Sequence, residues 1–221
     1  MHEFTVDGEG VQFALDRTFN AGYSGRDEEA VQAHIDELVE EGLSAPDSVP
    51  VVYELAPYTT LVDPGEITVV GPDTSGEAEF GLLVTGDETY VVAASDHTDR
   101  DLETESIPKS KQVAPNVVSA GAWRFSDVRD HWDDIELRAW NTRDGERSRY
   151  QDSTLDEILP PTEILDVVRE RYETSLHGAA VLSGTVATVS GELSPGSHFE
   201  VELHDPVLDR TLSVGYGVDV V

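Results

Sequence analysis

The sequence predicts an α+β fold that is mainly β. Strand-like runs outnumber helical ones, and they follow one another without βαβ alternation. Gly and Pro punctuate them at short intervals. That order excludes a doubly wound parallel sheet. No linker or repeat divides residues 1–221, so the chain reads as one domain.

Taken in order, residues 4–6 and 11–15 are short strands joined around Gly8 and Gly10. Residues 27–41 form the first clear helix, with Val31, Ile35, Leu38 and Val39 on one face and Gly42 as a stop. Strands follow at 51–55, 59–62 and 67–70, separated by Pro57, Pro64-Gly65 and Gly71-Pro72. Residues 77–84 and 88–94 make a hairpin through Thr85-Gly86-Asp87. The polar stretch 95–111 contains a short helix. A helix is expected around 126–133, strands at 135–140 and 147–151, and a helix over 162–172 behind Pro160-Pro161. The tail returns to strand at 179–189, 197–204 and 211–220.

Charge narrows the function. There are 45 Asp and Glu against 14 Lys and Arg, a formal net charge of −31. Such a chain repels phosphate backbones, so nucleic acid is not an expected partner. The acids are dispersed rather than gathered in a tail, and only two lysines survive, Lys109 and Lys111. This reads as a surface adapted to high salt, where repulsion is screened, and hence as a halophilic origin. Without cysteine there is no disulfide framework and no thiolate zinc site. No apolar run approaches a membrane span, and the start lacks a secretory pattern, so a cytoplasmic protein is expected.

Most carboxylates then belong to solvated surface, and a functional one must be singled out by geometry. Glu77 and Glu79 lie at i and i+2 on a strand and share a face, while Ala78, Phe80 and Leu82 take the other. Two like charges so placed weaken a sheet unless something compensates them. With the turn centred near Gly86, paired residues sum to about 172–173, and Asp96 falls opposite position 76 or 77. Three converging carboxylates suit Mg²⁺ or Mn²⁺, with Ca²⁺ also compatible, better than zinc. A water-facing acidic stripe is the competing reading.

His34 and Glu37 sit at i and i+3 on the predicted helix, beside Val31, Ile35 and Leu38. A histidine oriented by a carboxylate is a usable general base; a structural histidine is the alternative. Lys109 and Lys111 are kept where lysine is otherwise absent, and an ammonium can stabilise an oxyanion or enolate. Arg26, in Tyr23-Ser24-Gly25-Arg26-Asp27, can bind a carboxylate through its planar fork or close a helix-end ion pair. Ser183-Gly184-Thr185, with Pro195-Gly196 downstream, can bind an anion at a Gly-Thr turn. There is no nucleophile elbow, P-loop, dinucleotide fingerprint or His-Glu-x-x-His.

In this order the pieces resemble the fumarylacetoacetate hydrolase superfamily. The stretch Gly76-Glu77-Ala78-Glu79-Phe80 resembles its Glu-x-Glu pair, and 95–103 (Ser-Asp-His-Thr-Asp-Arg-Asp-Leu-Glu) its Asn-Asp-x-Thr-x-Arg-Asp-x-Gln stretch. Lys111 precedes Pro115 as the family's lysine precedes a proline, with Lys109 as a competing alignment. Gly22-Tyr23 ahead of His34-Ile35-Asp36-Glu37 resembles the lid element and its His-x-x-Glu dyad. Gly184-Thr185-Val186, Pro195-Gly196-Ser197 and Glu200-Val201-Glu202 resemble the closing segment. The chain departs from the pattern at Ser95 and Glu103, and in a shorter spacing from Glu79 to Asp96.

The resemblance implies a mixed β-roll or sandwich with a few peripheral helices. It implies an N-terminal hairpin and lid helix over 1–45 and a β-rich catalytic core over 46–221. It implies a homodimer and a metal-dependent hydrolase of 2,4-diketo acids. Glu77, Glu79 and Asp96 would be the metal ligands; His34, Glu37 and Lys111 catalytic; Tyr23, Arg26, Lys109 and Thr185 at the substrate carboxylate. Oxaloacetate-type decarboxylation, isomerisation or sugar-acid dehydration fits the same site, and a non-catalytic module for a small carboxylate is the alternative from another class.

Overall fold

The structure, a computed structural model, describes residues 1–40 and 45–221, and of Glu37 and Leu38 the helical backbone alone. Its frame is a mixed sheet that curls over, faced on one side by a five-stranded sheet. The centre of the large sheet is the hairpin Ala78–Val84 and Thr89–Asp96, paired in one register from Ala78↔Ser95 to Val84↔Thr89. Ala179–Leu182 pairs antiparallel with the first arm, and Arg17–Gly22 lies parallel to Ala179–Leu182. Val51–Leu55 closes that side. Gly121–Arg124 and Asn116–Val118 pair with the second arm, and the hairpin His2–Val6 and Glu9–Phe13 follows. The smaller sheet runs Glu146–Thr154, Glu136–Arg143, His198–Asp205, Arg210–Val220, Glu66–Val69.

Strand alternation sorts two cores onto the two faces of the large sheet. Ala78, Phe80, Leu82 and Val84 point toward the smaller sheet, meeting Leu137, Val201, Leu203 and Tyr216, and toward Ile164, Leu165 and Val168 of the helix Pro161–Tyr172. Leu83, Val92, Ala94 and Leu182 point the other way, into the curl closed by Phe4, Val6 and Phe13. Both arms of the hairpin are therefore covered on both faces, which suits their near-continuous apolar runs.

The α+β, mainly β class and the hairpin stand as expected. Several elements differ. Arg17–Gly22 is a further strand, beyond those expected, because buried Thr18 and Asn20 erase the apolar alternation that would announce it. Asn116–Val118 and Gly121–Arg124 were missed for their shortness. The strand predicted over 179–189 ends at Leu182, since Gly184 takes a left-handed φ of 82°. The helix Glu28–Glu40 is capped by Asp27, which accepts the Glu29 and Ala30 amides at 3.0 Å each. Of the described side chains on its predicted apolar face, Ile35 is buried, Val31 half-buried and Val39 exposed. The Gly42 stop lies outside the described residues. Among the described residues no helix is long and apolar enough to cross a membrane.

Phe80 is fully buried and meets Trp132 edge to face, with ring centroids 4.9 Å apart. Phe80→Ala is expected to destabilise the protein by about 3–5 kcal/mol. Urea unfolding monitored by tryptophan fluorescence measures this, and a loss below about 1 kcal/mol would contradict the packing described.

Candidate active site

The hairpin register that sets the core also sets the site. Glu77 and Asp96 face each other just beyond Ala78↔Ser95 and exchange backbone bonds of 3.0 and 3.1 Å. The same register continues through the short pair Thr98–Asp99 with Thr74–Ser75. Directly opposed residues share a sheet face, so Glu77, Glu79 and Asp96 converge. Their ligand oxygens lie within 4.8 Å of one another. The competing reading of a water-facing stripe fails at Glu79 and Asp96, which are 1% and 0% exposed.

The chain then brings cations to these acids. Asp99 accepts the Leu102 amide and starts the helical turn Arg100–Glu103. Arg100 bonds the Ser75 hydroxyl (2.8 Å) and Glu103 (2.8 Å) and lies 3.5 Å from Glu77. The next helix, Ile107–Val113, turns Lys111 inward and leaves Lys109 exposed. Lys111 Nζ bonds Asp96 and lies 3.4 Å from Glu77. On the far side the Gly184 amide donates to Glu79 at 2.9 Å. A Cβ at residue 184 would fall 2.3 Å from the Ser24 hydroxyl, so glycine is required both there and for the backbone angle.

Behind these groups lies a buried polar frame. Gln151, from the smaller sheet, accepts the Ala78 amide and donates to the Thr185 hydroxyl and the Val186 carbonyl. The Thr185 hydroxyl donates to the Ala78 carbonyl at 2.7 Å. His97 is fixed between the hydroxyls of Tyr216 (3.0 Å) and Thr74 (2.9 Å). Burial, with Arg100 nearby, holds the His97 pKa down at about 3, so this ring is neutral.

The site faces a cavity of about 950 Å³ whose lining includes Glu77, Glu79, Arg100, Lys111, Tyr53 and Thr185. Tyr23 and His34 line it as well, with ring centroids 6.3 Å apart. His34 is exposed at the rim, not packed on the apolar side of its helix as predicted. The side chain of its partner, Glu37, is outside the described residues. Arg26 lines the cavity but is bound to Asp133 and, through Nε, to the Ile158 carbonyl at 2.7 Å. The structure thus gathers Glu77, Glu79, Asp96 and Lys111, sets Tyr23, Arg26, His34 and Thr185 on the same cavity, and leaves Lys109 outside it. The anion that the Gly184 amide of the Gly-Thr turn binds is the protein's own Glu79, whereas the ion pairs of Arg100 with Glu77 and Glu103, and the bonds of Gln151 to Ala78, Thr185 and Val186, go beyond the sequence expectations. Arg100 stands in the stretch that carries the resemblance, whereas Gln151 has no signal in its strand.

Electrostatics favour a cation here. With every group ionised, Glu77, Glu79, Asp96 and Glu103 face only Lys111 and Arg100. Two negative charges are left over, and the donors are all oxygen, which fits a divalent Mg²⁺, Mn²⁺ or Ca²⁺ ion. Burial alone would raise the Glu77 carboxyl, but Arg100 and Lys111 outweigh it and hold it below its ordinary range. Lys111, despite burial, is held firmly protonated by Asp96, Glu77 and Glu79. Glu79 goes the other way: burial, then the Asp96 charge, push its carboxyl well above the ordinary range.

This shift has a sign in stability. Between the ordinary and the raised pKa, metal-free folded protein keeps a proton on Glu79 that the unfolded chain has released. Stability should therefore fall as pH rises through that window. Glu79→Gln, which does not ionise, is expected to flatten the slope and to melt above wild type at its alkaline end. Melting scans against pH in chelator test this, and an unchanged slope would refute it.

Comparison with solved structures places the fold. A candidate fumarylacetoacetate isomerase/hydrolase from Oleispira antarctica is similar at a TM-score of 0.70 and 18% identity, over 99% of this chain and 100% of that one. A 2-keto-3-deoxy-D-arabinonate dehydratase complexed with magnesium and 2,5-dioxopentanoate is similar at 0.64 and 14%, over 94% of this chain and 74% of that one. A 5-carboxymethyl-2-hydroxymuconate delta-isomerase from Mycobacterium smegmatis is similar at 0.61 and 17%, over 95% and 80%. No curated protein matches the sequence. The fold is that of the fumarylacetoacetate hydrolase superfamily, and, with residues 21–216 matched, the chain belongs to the family described as "Protein of unknown function (DUF2848)".

Proposed function

We propose that the protein is a metal-dependent hydrolase that cleaves a carbon–carbon bond in 2,4-diketo acids of the acylpyruvate kind. The observation that carries this reading is the triad of buried Glu79 and Asp96 with half-buried Glu77, beside Lys111, at one wall of a cavity of about 950 Å³. The triad would hold Mg²⁺ or Mn²⁺, with Ca²⁺ also compatible. When bound, such an ion supplies Lewis-acid stabilisation of charge on a 2-oxo acid. The magnesium-bound dehydratase of the same fold supports that choice of ion.

The chain's own residues do the rest in this reading. His34, oriented by Glu37, takes a proton from water at the cavity rim. The resulting hydroxide adds to the distal carbonyl. The bond between that carbon and the methylene breaks, and its electron pair passes into a pyruvate enolate. Lys111 stabilises the enolate oxygen as a fixed, fully protonated ammonium. The proton held on His34 returns to the methylene carbon, giving pyruvate and the second carboxylic acid. Tyr23 and Thr185 position the substrate carboxylate; Arg26, tied to Asp133, assists from the rim and Lys109 from outside the cavity has no part.

A second reading keeps the site and changes the reaction, to dehydration of a sugar acid, isomerisation or decarboxylation; the dehydratase and isomerase of the same fold favour it. A cytoplasmic homodimer from a salt-adapted source completes the proposal and rests on the resemblance and the charge of −31.

Mg²⁺ and Mn²⁺ titrated in molar salt should reveal a saturable site in wild type that Glu77→Ala/Glu79→Ala loses, together with acetylpyruvate cleavage. Equal, weak uptake by both proteins would mean that cations merely screen surface charge. His34→Asn should lower kcat by about 10²–10⁴-fold with little change in KM; unaltered turnover would remove His34 from the chemistry.

A further inference from the structure

The charges around the cavity are lopsided in a way that the proposed chemistry does not require. Each lysine or arginine that lines it already has a carboxylate partner. Lys111 is held by Asp96 and Glu77, Arg100 by Glu103 and Glu77, and Arg26 by Asp133. Apart from Glu79, which belongs to the acidic triad, three lining carboxylates, Asp27, Asp156 and Glu157, are in no ion pair among the described residues. Asp27 is spent in part on capping its helix. Asp156 and Glu157 are exposed on the wall next to Arg26, whose amide donates to the Glu157 carbonyl at 2.9 Å. The wall also carries Val31, Val51, Val186 and Leu193. Burial and the Glu103 charge push the Tyr23 phenol up, so it enters as a neutral O–H group.

Resting on the 2-oxo acid reading above, we propose that this cavity selects a monocarboxylate: a 2-oxo acid whose far substituent is uncharged and largely apolar. One carboxylate is taken up at the 2-oxo acid end, by Tyr23 and Thr185. A second would meet three unpaired anions and no cation left without a partner, and like-charge juxtaposition is an effective means of rejecting a wrong ligand. Salt screens exposed acids elsewhere on the surface, but carboxylates sharing a cleft with low-dielectric walls act on a ligand more strongly. The volume of about 950 Å³ leaves room for a tail well beyond a methyl group.

The test uses two probes of equal length, 2-oxooctanoate and 2-oxooctanedioate. Their binding to the Mg²⁺-loaded protein is measured by calorimetry, in wild type and in Asp156→Asn/Glu157→Gln. Wild type should bind the monoacid tighter by about tenfold or more, and each tenfold is about 1.4 kcal/mol. The double variant should narrow that gap by tightening the diacid. A diacid bound equally or better by wild type overturns the tail selectivity and leaves the 2-oxo acid reading standing. So does a gap that the double variant preserves. If neither probe binds, the 2-oxo acid reading falls and the selectivity falls with it.

Discussion

Glu79 and Asp96 carry carboxylates into a place with almost no water, and much of the surrounding chain serves to make that tolerable. The arrangement begins with one antiparallel register. Because Ala78 pairs with Ser95, Glu77 must face Asp96, and Glu79 must lie on the same side of the sheet. Glu79 is anchored by Phe80 and Leu82 on its own strand, and Asp96 by Val91 and Ala93 on the other arm, all packed in the opposite core. The acids are thus held by hydrophobic packing on the other side of their own strand. Lys111, Arg100 and the Gly184 amide then answer the charge from three separate segments.

Structural and chemical roles are divided between the two sheets. The large sheet presents the acids, while the smaller one sends Gln151 across to pin both the Ala78 strand and the turn at 185–186. Removing the Gln151 amide would leave buried groups on two segments unpaired, a cost that falls on the geometry of the site as much as on stability. His97, neutral between Tyr216 and Thr74, performs the same service behind Asp96. Such packed, hydrogen-bonded support is what keeps a set of ligand oxygens at usable separations.

What could be read from the residues follows the physics that each feature obeys. The convergence of Glu77, Glu79 and Asp96 was legible because strand periodicity and a short turn fix register locally. The choice between Lys109 and Lys111 was not, because both lie on the short helix Ile107–Val113, whose rotation depends on what it packs against. Arg26 was read as a substrate clamp or an ion-pair partner, and Asp133, 107 residues away, settles its bonds. His34 is expected among apolar neighbours, yet among the described side chains of its helix only Ile35 is firmly buried, and His34 lies exposed at the rim. Arg17–Gly22 escaped notice because a strand covered on both faces by a polar-containing wall has no period to detect.

The order in which these contacts can form differs from their order of importance. The hairpin closes through a turn of a few residues, but Lys111 lies 15 positions beyond Asp96 and Gly184 lies 105 beyond Glu79. Local contacts cost little loop-closure entropy and distant ones cost more. A nascent chain that has made only its central hairpin therefore holds three adjacent carboxylates with nothing yet to oppose them. Until Lys111 arrives, dissolved cations are what can shield that piece, so ionic strength bears on the assembly of the site as well as on its finished state.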